Sequence, residues 1–308
     1  MTKKVILDVD TGVDDAIGIL LALKSKQMDV LGITTVNGNV SLEAATINTC
    51  KIVELVGVDV PVIMGASSPL VRTPYFEHRI HGEDGIGGAL KDMVPKKQPD
   101  EGFGPDFIIN SILSFPGEVT LVMTAPLTNL ALAVKKCPEI TKFVKEVIFM
   151  GGVVKDVGNV TPTAEYNMFT DPEAAKIVFH AGFPSLTLVG LDVTRKVLLT
   201  EEHMDAIHNP LLASYIKEST TDYRQRYFER YRIHGAVMHD PLAVAVAIDA
   251  NIVTKKKYYV DVETSSELCD GQTVCDFQNR LGRTANLDVC LDVDEKAFIA
   301  LFHEVINS

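Results

Sequence analysis

The run Val5-Ile6-Leu7-Asp8-Val9-Asp10-Thr11-Gly12-Val13-Asp14-Asp15-Ala16-Ile17-Gly18-Ile19-Leu20-Leu21-Ala22-Leu23 decides how this chain folds. Val5 to Val9 is a short, β-branched apolar run, the pattern of a buried strand. Gly12 permits a tight turn, and Asp14 and Asp15 then open a helix, where the helix dipole favours carboxylates. From Ala16 to Leu23 that helix is almost wholly apolar, so it is buried against a sheet.

The same alternation continues outward. Val30 to Val36, Val119 to Met123, Val147 to Met150 and Leu186 to Val189 read as further buried strands. Helical patterns such as Ser41 to Val56 and Asn129 to Lys136 lie between them. Such alternation predicts an α/β fold with a mostly parallel central sheet covered on both faces. Three late runs, Tyr258 to Glu263, Thr273 to Phe277 and Asn286 to Val293, alternate apolar and polar residues as antiparallel strands do. A final helix is expected over Glu295 to Val305, and a surface loop over Pro95 to Pro105. With no linker, repeat or composition shift, one Rossmann-like domain over residues 1–308 is expected.

Composition narrows the function. The 308 residues are 46% hydrophobic and 23% charged, enough to bury a substantial core. A net charge of −12 argues against general binding to nucleic acid or anionic membranes. There is no apolar run of membrane-spanning length and no signal-peptide pattern before Val5. The five cysteines have no CxxC spacing, so free thiols in a reducing, cytoplasmic setting are expected.

Asp8, Asp10, Asp14 and Asp15 put four carboxylates within eight residues. Asp8 and Asp10, two apart, are expected on one face of the strand end. One of the four could be a helix cap, but capping does not explain all of them. Like charges this close demand protonation or a cation, and hard oxygen donors suit Ca²⁺ or Mg²⁺. An EF-hand loop beginning at Asp8 fails, because Gly12 and Ile19 stand where it needs oxygen ligands. An Asp-x-Asp phosphatase of the haloacid dehalogenase type, with Asp8 as nucleophile, fits less well at Gly12 and does not require the Asp14–Asp15 pair. Dinucleotide binding lacks its GxGxxG after the first strand.

The run Asp-x-Asp-x-Gly-x-Asp-Asp after an N-terminal strand resembles the opening of the nucleoside hydrolases, the inosine–uridine-preferring family. Further blocks resemble that family in order. They are Thr34-Thr35-Val36-Asn37-Gly38-Asn39, Ile80-His81-Gly82-Glu83-Asp84-Gly85, Thr124-Ala125-Pro126-Leu127-Thr128-Asn129, Met150-Gly151-Gly152, Glu165-Tyr166-Asn167 and His239-Asp240-Pro241. Bland readings stand beside several of them. Asn37-Gly38 is also an ordinary turn, Thr128 and Asp240 are also potential caps, and Asp171-Pro172-Glu173 is best read as a helix start.

The resemblance implies Ca²⁺ held by Asp10, Asp15, the Thr124 carbonyl and Asp240, with Asp10 as the general base toward water. It implies that Asp14, Asn39, Glu165 and Asn167 hold ribose, with Met150 and Asn159 lining the site. It places His239, His81 and Tyr227 near the departing base, His239 being the first candidate acid and His81 the second. The expected reaction is hydrolysis of a ribonucleoside to ribose and free base. The absence of tryptophan and the two histidines resemble the pyrimidine-preferring or broad-specificity members, so uridine and cytidine are the expected substrates, with inosine also accessible. A homodimer or homotetramer is implied by the family alone. The segment Tyr223 to Arg232, rich in tyrosine and arginine, is either a solvated helix with inward rings or a wall giving aromatic contacts to a ligand. A phosphatase and a calcium-clamped riboside-binding protein remain the competing readings.

Overall fold

A computed structural model describes residues 2–308. Its strands are β1 (Lys3–Val9), β2 (Met28–Thr35), β3 (Val62–Met64), β4 (Val119–Met123), β5 (Glu146–Met150) and β6 (Leu186–Val189). They continue with β7 (Leu198–Leu199), β8 (Ala236–Val237), β9 (Val253–Tyr258), β10 (Val260–Val262), β11 (Thr273–Cys275) and β12 (Leu287–Val293). Eight of them form one sheet in the order β3-β2-β1-β4-β5-β6-β12-β9. Every neighbouring pair is parallel except β12 with β9.

β1 is central, and its apolar residues Val5, Ile6, Leu7 and Val9 are all buried, as a strand covered on both faces requires. One face packs against helices Val13–Lys24, His239–Ile248 and Glu295–Ile306. The other carries Gly104–Ser114, Thr128–Lys136 and Pro172–Phe179. Local chemistry fixes the ends of several helices. Ser41 Oγ accepts from Ala44 N to start Leu42–Val56, and Gly57, at φ 76°, closes it. Asp171 accepts from Ala174 N ahead of Pro172, the helix start expected from Asp-Pro-Glu.

From β1 the chain fills β2 and β3 on one side and then crosses to β4, β5 and β6 on the other. Strand order therefore reverses between β1 and β4, and the crevice at their carboxyl ends is where such sheets bind ligands. Asp8 lies in register with Met123, and Thr124 N donates to Asp8 O at 2.9 Å. The acidic run and Thr124 thus emerge side by side at the switch point.

Some expectations need correction. The loop placed over 95–105 ends early, because Gly104 and Pro105 are buried and open the helix Gly104–Ser114, with proline in its first turn. The run from Tyr258 to Glu263 is not one strand. Tyr258 ends β9 in the main sheet, whereas Val260 to Val262 pair with β11. β12 is antiparallel to β9 as its alternation predicts, but parallel to β6 on its other side. Thr128 caps nothing; its hydroxyl donates to Asp171 Oδ2 at 2.7 Å. Asp240 lies inside the first turn of His239–Ile248 instead of preceding it as a cap.

Candidate active site

The carboxylates at the end of β1 go to different places. Asp8, still within the strand, is fully buried; its Oδ1 accepts from Thr34 Oγ1 at 2.5 Å and Asn129 Nδ2 at 2.7 Å. Asp10 lies just beyond β1, so strand alternation no longer ties its direction to that of Asp8. It accepts from Asn39 N at 2.6 Å and from Asn39 Nδ2 at 3.2 Å. Asp15 accepts from Gly12 N at 2.9 Å, Asn39 Nδ2 at 3.1 Å and Thr124 Oγ1 at 2.7 Å. Carboxylate oxygens of Asp14, Asp15 and Asp240 all lie within 4.8 Å of one another, and all three residues are buried.

Glycine is required here for space. Gly12 has φ −89°, which any residue can adopt, but a Cβ would sit 2.5 Å from His81 Nδ1 and 2.8 Å from Asn39 Nδ2. A Cβ on Gly38 would sit 1.9 Å from Asp10 Oδ2. Both glycines let backbone approach the carboxylates closely, a stricter demand than a turn makes.

Burial and mutual repulsion raise the proton affinity of these acids in the absence of a cation. Desolvation, then Asp15, raises Asp10 well above the ordinary carboxylate value. Desolvation and the Asp15 charge bring Asp14 up to about 7. Asp240 is raised well above its usual value by burial, then by Asp14, Asp15 and Asp10. Two like charges 4 Å apart repel by about 4 kcal/mol at an effective dielectric of 20. Several such pairs rival the entire stability of a domain. A buried, all-oxygen donor set of this kind is suited to a hard divalent cation.

Amides and one further carboxylate line the wall opposite. Asn167 Nδ2 donates to the Thr124 carbonyl at 2.8 Å and the Met150 carbonyl at 3.2 Å. Glu165 caps the short helix Tyr166–Thr170, accepting from Asn167 N and Met168 N, and also accepts from Gly152 N at 2.8 Å. At the far end, His239 is bracketed by two hydroxyls. Its Nδ1 shares a hydrogen bond with Thr194 Oγ1 at 2.7 Å, and its Nε2 shares one with Tyr227 OH at 2.8 Å. His81 Nδ1 accepts from Val13 N at 3.1 Å, so the neutral ring carries its proton on Nε2. Burial pushes both imidazoles down to about 3, so both are neutral near pH 7. Around these groups lies a cleft bounded by Asp14, Asn39, Met150, Glu165, Tyr227 and His239 among others.

The comparison with known proteins fits this arrangement. Residues 5–300 match the family described as inosine-uridine preferring nucleoside hydrolase. The chain belongs to that family. It is therefore an N-glycosyl hydrolase of nucleosides, and the buried Asp14–Asp15–Asp240 group is consistent with a metal site. The hydrolase is 35% identical to the pyrimidine-specific ribonucleoside hydrolase RihB of Escherichia coli (strain SE11), over 99% of this chain and 97% of that one. Among solved structures it resembles the plant nucleoside hydrolase PpNRh1 at TM-score 0.94 and 32% identity, with 100% of each chain covered. It also resembles a purine-preferring ribonucleoside hydrolase from Gardnerella vaginalis at TM-score 0.92 and 34% identity, over 99% of this chain and 98% of that one.

The hydrolase brings nearly every residue singled out from its sequence to one cleft. Asp14, Asn39, His81, Thr124, Met150, Asn159, Glu165, Asn167, Tyr227, His239 and Asp240 line it, with Asp10 and Asp15 tied to Asn39 behind them. Asp8 does not line it. The sequence reading missed Glu77 and Tyr166 in the wall and Thr194 behind His239, and it took Tyr223 and Arg230 only as part of the Tyr223–Arg232 segment. For Tyr223 and Tyr227 a signal was present: they are one helical turn apart and both buried. The inward rings of that helix and the wall of the site are the same surface. Thr194 carried no signal, since only the packing of distant segments brings it to His239.

Proposed function

We propose that this hydrolase cleaves uridine, cytidine and inosine to ribose and free base in a calcium-dependent reaction. The observation that carries the reading is the gathering of Asp10, Asp14, Asp15 and Asp240 beside the amides of Asn39 and Asn167. Asp10, Asp15, Asp240 and the Thr124 carbonyl would hold Ca²⁺. When bound, it supplies the positive charge that lets these acids ionise together, and it anchors sugar hydroxyls beside them.

In the reaction, Asp10 takes a proton from the water whose oxygen forms the new bond to the anomeric carbon. The glycosidic electron pair leaves with the base nitrogen. Asp14, Asn39, Glu165 and Asn167 hold the sugar, and their oxygens complement the positive charge that develops on it. Met150 and Asn159 line the sugar and base sides. The base must gain a proton as it departs. Two neutral donors are at hand: His81 through Nε2–H, and the hydrogen-bonded pair of Tyr227 and His239. His239 therefore acts within a pair that passes a proton to the base as it regains one from solvent, so that both groups stay neutral, with His81 as a second donor replenished in the same way.

A phosphatase using Asp8 as nucleophile draws no support, because Asp8 is buried outside the cleft with one oxygen already holding Thr34 and Asn129. Base preference rests on the absence of tryptophan and the two histidines, read through the family resemblance, since a pyrimidine-specific and a purine-preferring relative are almost equally similar to this chain. Five free cysteines support a reducing, cytoplasmic setting, and a homodimer or homotetramer is proposed on the family resemblance.

The deciding assay measures ribose released from uridine, cytidine, inosine and adenosine in the presence of Ca²⁺. Ribose from both pyrimidine nucleosides and from inosine is expected. Cleavage of inosine alone would overturn the pyrimidine assignment, and no ribose from any substrate would overturn the reaction.

A further inference from the structure

The base side of the cleft is built from three segments distant in sequence: the turn His78–His81, the loop around Asn159, and the helix Thr221–Tyr231. The helix turns Tyr223 and Tyr227 inward. Arg226 and Arg230, one turn apart, lie beside them and reach to either side. Arg226 Nη1 donates to the His78 carbonyl at 3.0 Å and also to the Arg79 carbonyl. Arg230 Nη2 donates to the Asn159 carbonyl at 3.2 Å.

The Arg226 contacts are favourable for a general reason. The carbonyls of a one-turn helix have few partners within the helix, and its carboxyl end attracts a cation. Both bonds come from one guanidinium nitrogen, so a cationic donor at that place is what the two adjacent carbonyls require. His81 follows two residues after Arg79, so whatever fixes these carbonyls fixes the base of its side chain. At its other end the His81 ring accepts from the amide of Val13 and packs beside Tyr223.

We propose that Arg226 is a positioning residue: it latches the tyrosine helix to the His81 turn, so that His81 and Tyr227 face the nucleobase as one wall. Arg230 secures the opposite edge to the Asn159 loop. The inference rests on the cleft being the nucleoside site, but the latch exists in the free protein and is measurable there.

The test uses the full-length protein and amide hydrogen exchange of residues 77–82, where His81 N donates to Glu77 O and Gly82 N to His78 O. In Arg226→Ala these amides should exchange about tenfold faster, the loss expected for one partly exposed charged hydrogen bond. Exchange in β1 should not change. KM for uridine should rise about tenfold with kcat within about twofold, because a smaller latched population weakens apparent binding without altering the latched site. Arg226→Lys keeps the charge and should recover most of both effects. If Arg226→Ala loosens the whole chain, Arg226→Met, which keeps the stem and removes the donors, decides instead: faster exchange confined to 77–82 supports the latch. Unchanged exchange at 77–82 overturns it, whatever the activity. Faster exchange with an unaltered KM overturns the positioning role. Absence of ribose release by the unmutated protein would defeat the functional reading instead, and leaves the exchange result to judge the latch.

Discussion

At the scale of residues, Asp10 carries the heaviest demand. It is buried, touches Asp15 and Asn39, and is the proposed base. Asp10→Asn should lower kcat for uridine by about 10²–10⁴-fold, the usual contribution of a general base, while the protein remains folded. Near-normal turnover would remove Asp10 from that role. Gly38→Ala tests the space beside it. The added methyl would overlap Asp10 Oδ2, and a displacement of about 1 Å costs on the order of 10²-fold in rate. An unaltered kcat in that variant would mean that the position of Asp10 is not critical. The acidic positions were legible in the sequence because carboxylates at this density have few structural explanations. The need for Gly12 and Gly38 to lack a Cβ was not, since it depends on His81, Asn39 and Asp10 arriving from elsewhere in the chain.

At the scale of elements, periodicity served long, doubly buried segments best. β1, β4, β5, β6 and the final helix fall within two residues of their expected ends, because the strands are buried along nearly their whole length and the helix keeps one regularly spaced buried face. Short pieces fared worse. β3 is only three residues long, and β10 separates from β9 at Tyr259, where pairing with β11 replaces pairing with the main sheet. The helix Thr221–Tyr231 allowed two readings from sequence; two of its rings, Tyr223 and Tyr227, do turn inward, and that inner face borders the cleft. That helix also brings Tyr227 to His239. Tyr227→Phe removes the phenol that shares a hydrogen bond with His239 and should slow uridine cleavage by about tenfold or more. A riboside whose leaving group needs no proton, such as a nitrophenyl riboside, should be far less affected. Equal losses on both substrates would show that Tyr227 does not assist the leaving base.

At the scale of the molecule, a stable sheet carries an acidic cluster that is costly without a cation. In the metal-free protein, Asp8 and Asp14 are raised from 3.8 to about 7, and Asp10 and Asp240 are also raised. Groups with a raised folded-state value stabilise the fold below about pH 4, and that contribution is lost as pH rises through about 7. His81 and His239, lowered to about 3 from 6.5, act oppositely, but they are two groups against at least four. Chelated protein should therefore lose thermal stability between about pH 4 and 7, as followed by melting temperature. A rise over that window would contradict the cluster's electrostatics.

The central claim, calcium-dependent cleavage of the ribose–base bond, is tested most directly by ribose release from uridine before chelation, after it, and after Ca²⁺ is returned. The account predicts that chelation abolishes release and that Ca²⁺ restores it. Undiminished ribose release from fully chelated protein would contradict it.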